Sequence, residues 1–146
     1  MPESFDSLLD QGDRALERND TLFALMQYET AHAIEARPAI KAKLAYCLAR
    51  ERKEFQRAMA LCRDALVAEP DNPDHYFQLG RISLLAGRKQ TAIKSWRKGL
   101  KIKRYQPIID ELNRLGLRKP PIFSALPREH FLNRNTGKLL HKLGTR

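Results

Sequence analysis

Tyr76-Phe-Gln-Leu-Gly80-Arg-Ile-Ser83, followed by Ala92-Ile-Lys-Ser-Trp96, sets the reading of the whole chain. Thirty-four residues upstream, Gly80 falls on Tyr46, and a further 34 upstream on Gly12. By the same shift Ser83 falls on Ala49 and Ala15, and Ala92 on Ala58 and Ala24. Trp96 falls on Cys62 and Tyr28, and Gly99 on Ala65 and Ala31. The columns hold without a gap. Two antiparallel helices approach closely only where side chains are small, so Ala, Gly or Ser recurs at their crossing. A larger residue must fill the space beside each small one. Tyr28, Cys62 and Trp96 take that place on each second helix. Cys62 is small for the role, so the middle pair is expected either to pack less tightly or to have a compensating neighbour.

Outward from this stretch the chain reads as three helix pairs. The first covers about Phe5 to Pro38, with Leu8, Gly12, Ala15 and Leu16 on its first helix. Asn19-Asp20 marks its turn, and Asp20 or Thr21 is placed to cap the second helix. Pro38 is expected to end the unit. The second pair runs from about Ala39 to Asn72, with a turn near Lys53, and Glu69-Pro70-Asp71-Asn72-Pro73 punctuates it. The third runs from Pro73 to Gln106 and turns at Gly87. Pro107 arrives three residues later than a match to Pro70 requires, so the last helix of this pair is expected to run on by most of a turn.

The spacing and the Tyr76, Leu79, Gly80, Ser83, Ala92 and Trp96 pattern closely resemble the tetratricopeptide repeat (TPR), over about residues 5–106. The resemblance implies an all-α fold, a right-handed α-α superhelix (TPR solenoid). Residues 107–116 are expected to form a capping helix with Ile108, Ile109, Leu112 and Leu115 on one face and Gly116 as its stop. Residues 1–116 thus read as one unit and 117–146 as an extended basic C-terminal arm. Three prolines between Arg118 and Pro127 favour extended chain there. From Pro127 to about Leu143 the sequence predicts a basic amphipathic helix, with Phe131, Leu132 and Leu139 on one half and Arg134, Lys138 and Lys142 on the other.

In the tetratricopeptide family the first helices line a concave groove that receives peptides. By register the groove positions here are Asp6, Leu9, Asp13 and Leu16, then Lys43, Cys47 and Arg50, then Asp74, Phe77, Arg81 and Leu84. Such a floor suits a peptide that carries an apolar residue and a carboxylate. One subtype, the carboxylate clamp that grips acidic chaperone tails, uses positions that match Leu9, Asp13, Leu44, Asp74 and Gln78. None of these fits, and two carry the wrong charge.

The net charge is +10, from 27 basic and 17 acidic residues. Residues 1–38 carry 8 acids against 3 bases, whereas residues 101–146 carry 3 acids against 11 bases. This polarity favours acidic partners. The arm has three readings: packing on its own solenoid, docking on a partner or second subunit, or lying on an anionic membrane surface. The run from Arg97 to Tyr105 is basic enough to suggest nucleic acid, but Trp96 occupies a core column and is not free to stack, so that reading is disfavoured.

Cys47 and Cys62 make no metal-ligand or CxxC spacing and read as free thiols of a cytoplasmic protein. No signal-peptide pattern opens the chain, and no apolar run approaches the ~20 residues that span a bilayer. His32, His75, His130 and His141 are scattered, and Ser83 and Ser124 have no activating neighbours. Neither a cofactor nor a metal is expected, and no catalytic motif occurs. The expected function is a non-catalytic protein-binding adaptor with a protein or peptide partner. A membrane or nucleic-acid binder acting through the arm, and a secretion-type chaperone, are the alternatives.

Overall fold

The computed structural model describes residues 2–116. The arm expected over 117–146, with Phe131, Leu132, Arg134, Lys138, Leu139 and Lys142, lies outside the described residues. Seven helices and no strands occur among the described residues. They are α1 (Phe5–Glu17), α2 (Thr21–Ile34), α3 (Pro38–Arg52), α4 (Phe55–Ala68), α5 (Pro73–Leu85), α6 (Lys89–Ile102) and α7 (Gln106–Arg114). The second helices α2, α4 and α6 begin at positions 34 residues apart and have equal lengths. Met1–Tyr105 forms one compact unit, and α7 belongs to a second, Gln106–Arg146.

Local chemistry sets the helix starts. The side chains of Ser4, Asp20 and Asn72 accept backbone N–H bonds from Ser7, Phe23 and Asp74, satisfying donors that a helix start leaves orphaned. Pro38 is the first residue of α3, not the end of the preceding unit. Its fixed φ suits a helix start, and the N–H it lacks has no intrahelical partner at that position. Asn19, Lys53 and Gly87, again 34 apart, turn the chain at φ of 62°, 55° and 80°. Lys53 pays the left-handed penalty that glycine avoids, about 1 kcal/mol or more. Lys53→Gly is therefore expected to raise stability by about 0.5–1 kcal/mol once glycine's greater unfolded-state entropy is subtracted. A urea midpoint that stays put or falls would count against this reading of the turn.

Consecutive helices pair as α1–α2, α3–α4 and α5–α6, and α3 also packs against α2 and α5, so the pairs stack into a right-handed α-α superhelix. Leu25, Tyr28, Ile40, Leu44, Leu48, Ile82 and Trp96 fill the core. A Cβ on Gly12 would meet the Tyr28 ring at 2.5 Å, and one on Gly80 would overlap the Trp96 indole. The same register sets Tyr46 opposite Cys62. Each pair thus combines one ring with one small residue, and in the middle pair the ring has moved to the first helix. By register Tyr46 is the candidate to compensate for the small Cys62; Tyr46 is buried and Cys62 is fully buried.

The expected extension of α6 does not occur. The helix stops at Ile102, in register with α4, and Lys103 is extended at φ −169° and ψ 164°. Beyond this break the Tyr105 hydroxyl donates to Asp74 Oδ1 at 2.7 Å, which holds the chain against the start of α5. Gly116 follows α7 at φ 78° and donates its N–H to the Asn113 carbonyl. Ile108 is buried, and Ile109, Leu112 and Leu115 are half-buried.

Candidate functional site

The polar groove residues Asp13, Lys43, Arg50, Asp74 and Arg81 fall into two networks carried mainly by α1, α3 and α5. In the first, Asp13 on α1 accepts from the Tyr28 hydroxyl at 2.6 Å and from Lys43 Nζ at 2.7 Å. Lys43 is thereby committed to a salt bridge between α1 and α3. Burial foremost, then the bond to Asp13, pushes the Tyr28 phenol well above its ordinary value, so it stays a donor.

The second network is centred on Arg81 of α5. Its guanidinium lies 3.4 Å from the Tyr46 ring centroid and 4.9 Å from that of Phe77. A planar guanidinium over an aromatic face is attracted by the ring's negative face and loses side-chain freedom. Arg50 reaches the same tyrosine from α3, with Nη1 at 3.4 Å from the Tyr46 hydroxyl. Asp74 accepts from Gln78 Nε2 at 3.3 Å and from Tyr105, whose ring also meets Phe77 edge-on at a centroid distance of 6.0 Å. Neither Arg50 nor Arg81 forms an ion pair with an acidic side chain among the described residues.

Leu9 and Leu16 are half-buried and pack against the core, Leu84 is half-buried, and Asp6 is exposed. Cys47 is a correction. It is 0% exposed, so its side chain presents no surface to a groove ligand. It lies one helical position after Tyr46 and faces into the solenoid. Tyr46 and Tyr105 belong to these networks, and register alone did not place either among the groove residues. The only signal for Tyr46 was a ring standing where Gly12 and Gly80 have none.

Burial pushes the Cys47 and Cys62 thiols up to about 12 from an ordinary 9.0. The nucleophile is the thiolate, so both are inert while the protein is folded. A disulfide reagent at pH 8 is expected to leave the native chain unmodified and to label both thiols in urea. Labelling of the native chain within minutes would contradict the burial. Unfolding restores the ordinary value, so this contribution to stability is complete below about 9 and lost as pH rises toward about 12.

His75 is fully buried, with Nε2 2.8 Å from Glu69 Oε1. Among the described residues no group of His, Cys, Asp and Glu could hold a metal, and no helix is long and apolar enough to cross a membrane.

Residues 61–94 match the family model for the tetratricopeptide repeat. The matched segment starts within α4 and ends within α6, one full period shifted by half a repeat. The fold is similar to that of the Sgt2 TPR domain from Aspergillus fumigatus, at 19% identity and a TM-score of 0.60, covering 78% of this chain and 82% of that one. It is also similar to the first TPR of Spaghetti (RPAP3) bound to HSP90 peptide SRMEEVD, at 17% identity and TM-score 0.59, covering 77% and 90%. MamA is similar at 21% identity and TM-score 0.56, covering 80% and 71%. No curated protein matches the sequence.

Proposed function

We propose that this chain, whose residues 61–94 match the tetratricopeptide repeat, is a non-catalytic protein-interaction module that receives a peptide segment on the face formed by α1, α3 and α5. The observation that carries this reading is Arg81, held over the Tyr46 ring beside Phe77 with no acidic partner among the described residues. Its orientation is set before a ligand arrives, which lowers the entropy cost of binding. A guanidinium so placed suits a peptide carboxylate, and Arg50 meets the same tyrosine. Phe77 and Leu84 supply apolar contact beside it.

The relative bound to HSP90 peptide SRMEEVD shows that this fold accommodates an acidic peptide in that protein. The positions here that match the chaperone-tail clamp do not favour the same ligand. Asp13 and Asp74 bring negative charge to it, and Leu44 is buried. Carboxylate recognition in this chain rests instead on Arg50 and Arg81.

Affinity capture with the parent and with Arg50→Glu combined with Arg81→Gln tests the reading, using Val67→Glu, at an exposed site on α4, as a control. The paired variant is expected to lose its captured proteins by about tenfold or more, because each lost charge-assisted bond is worth about 1.5–3 kcal/mol. Circular dichroism must show both variants folded. Recovery of the same proteins at the same level by the paired variant would sink the proposal.

A further inference from the structure

On the opposite side of α5 from Arg81 lies a cleft of about 730 Å³, bounded by α4, the α3–α4 turn and the α5–α6 turn. At about 100° per residue, Ser83 and Ala86 lie roughly 140–160° around α5 from Arg81 and roughly 100–180° from Phe77 and Leu84. The cleft is therefore separate from the groove. Its volume lies within the range of sites that enclose small ligands or single peptide side chains, about 300–1,000 Å³.

Three features of the lining point to one ligand chemistry. Phe55 and Met59, four residues apart on α4, form an apolar wall, and both are half-buried. Methionine adapts its shape to whatever side chain it meets. Lys53, Arg63 and Arg88 add three exposed cations from three different elements, and none has an acidic partner among the described residues. The third feature is Ser83, which lines the cleft at 1% exposure with an Oγ that has no hydrogen-bond partner. A buried hydroxyl without a partner is a standing cost that a bound polar group removes.

The start of α6 adds to the demand for negative charge. Arg88 is its N-cap and makes no side-chain cap, Lys89 follows, and no acid lies in the first turn. Cations at the positive end of a helix dipole are unfavourable, and an anion there relieves them. Cations spread over three elements match charges distributed along a chain better than one compact anion. We propose that this cleft is a second binding site, taking a short acidic protein segment whose hydrophobic side chain enters between Phe55 and Met59 while a carboxylate meets Arg63, Arg88 and the Ser83 hydroxyl.

The probe is an octapeptide of alternating glutamate and leucine, titrated into the full chain and followed by NMR at the Met59 methyl and the Ser83 amide. Saturable shifts are expected at both. Arg63→Glu combined with Arg88→Glu weakens binding by about tenfold or more, whereas the groove pair Arg50→Glu with Arg81→Gln changes it by less than about twofold. A glutamate–serine octapeptide binds about tenfold more weakly than the leucine one, for want of the buried apolar contact. Ser83→Ala gives a readout that a packing role does not. It leaves the thermal midpoint of the free protein unchanged or higher, because the orphan hydroxyl is gone, and yet weakens the peptide. Absence of shifts at Met59 and Ser83, survival of binding in the Arg63/Arg88 variant, or equal binding of the glutamate–serine peptide or of inorganic phosphate alone would each overturn the proposal. Loss of those shifts in the groove variant would place the peptide in the groove and overturn it too.

Discussion

Trp96→Ala is expected to lower the unfolding free energy by about 3–5 kcal/mol, the range for deleting a buried aromatic side chain. Trp96 is the largest fully buried side chain, and its indole N–H donates to the Phe77 carbonyl at 3.1 Å. Removal leaves a cavity against Gly80, which has no side chain to fill it, and takes away the indole bond to the Phe77 carbonyl. Urea unfolding gives the number directly. The stronger test exchanges the ring and the small residue between helices. Gly80→Tyr alone overpacks the crossing and costs about 1–3 kcal/mol or more, and Trp96→Cys alone empties it. The double variant reproduces the Tyr46 and Cys62 arrangement of the middle pair, so it is expected to be more stable than the sum of the two losses by at least about 1 kcal/mol. A double variant that merely adds the two losses would show that the middle pair's arrangement depends on its own surroundings and not on the shared register.

Asp13→Ala carries the second large effect, about 2–3 kcal/mol. One carboxylate oxygen accepts from both Tyr28 and Lys43, and its loss strands the hydroxyl of the buried Tyr28. The Lys43 share is the smaller, because that pair is partly exposed at 24% and 40% and is screened by solvent. Tyr28→Phe alone is expected to cost about 1 kcal/mol, since it removes donor and bond together and leaves Asp13 with Lys43. Combining the two changes is expected to cost less than their sum, because the stranded hydroxyl no longer exists. Additive losses in a double-mutant cycle would mean that the hydrogen bond contributes nothing and that Asp13 acts through Lys43 alone.

These two experiments probe different kinds of information in the chain. The pairing of Gly80 with Trp96 was readable from the residues, because a small residue and a ring recur at a fixed spacing and the crossing of two short helices depends on little else. The turns at Asn19, Lys53 and Gly87 were readable for the same local reason. Lys43 was a different matter. Read by register it is a groove cation, but the salt bridge to a residue 30 positions away withdraws it. Cys47 lies at a groove position by register, and only the packing of α3 against three neighbouring helices shows that its side chain is enclosed. The end of α6 was misread because Pro107 was the visible punctuation, while Lys103 and the Tyr105–Asp74 bond set the actual stop.

The sequence by itself determined the helix pairs, their 34-residue register, the alternation of ring and small residue at each crossing, and the polarity of charge. All of these follow from interactions within one or two turns of helix or across one tight turn, so a linear pattern records them. The tertiary structure alone decided which charged groups remain available to a partner. Asp13 and Asp74 are occupied, Lys43 is paired, Arg81 is held over Tyr46, and the cations of the α4–α5 cleft have no ion-pair partner among the described residues. Those outcomes depend on groups brought together from separate repeats, where a shift of a few ångströms decides whether a charge is neutralised or left for a ligand.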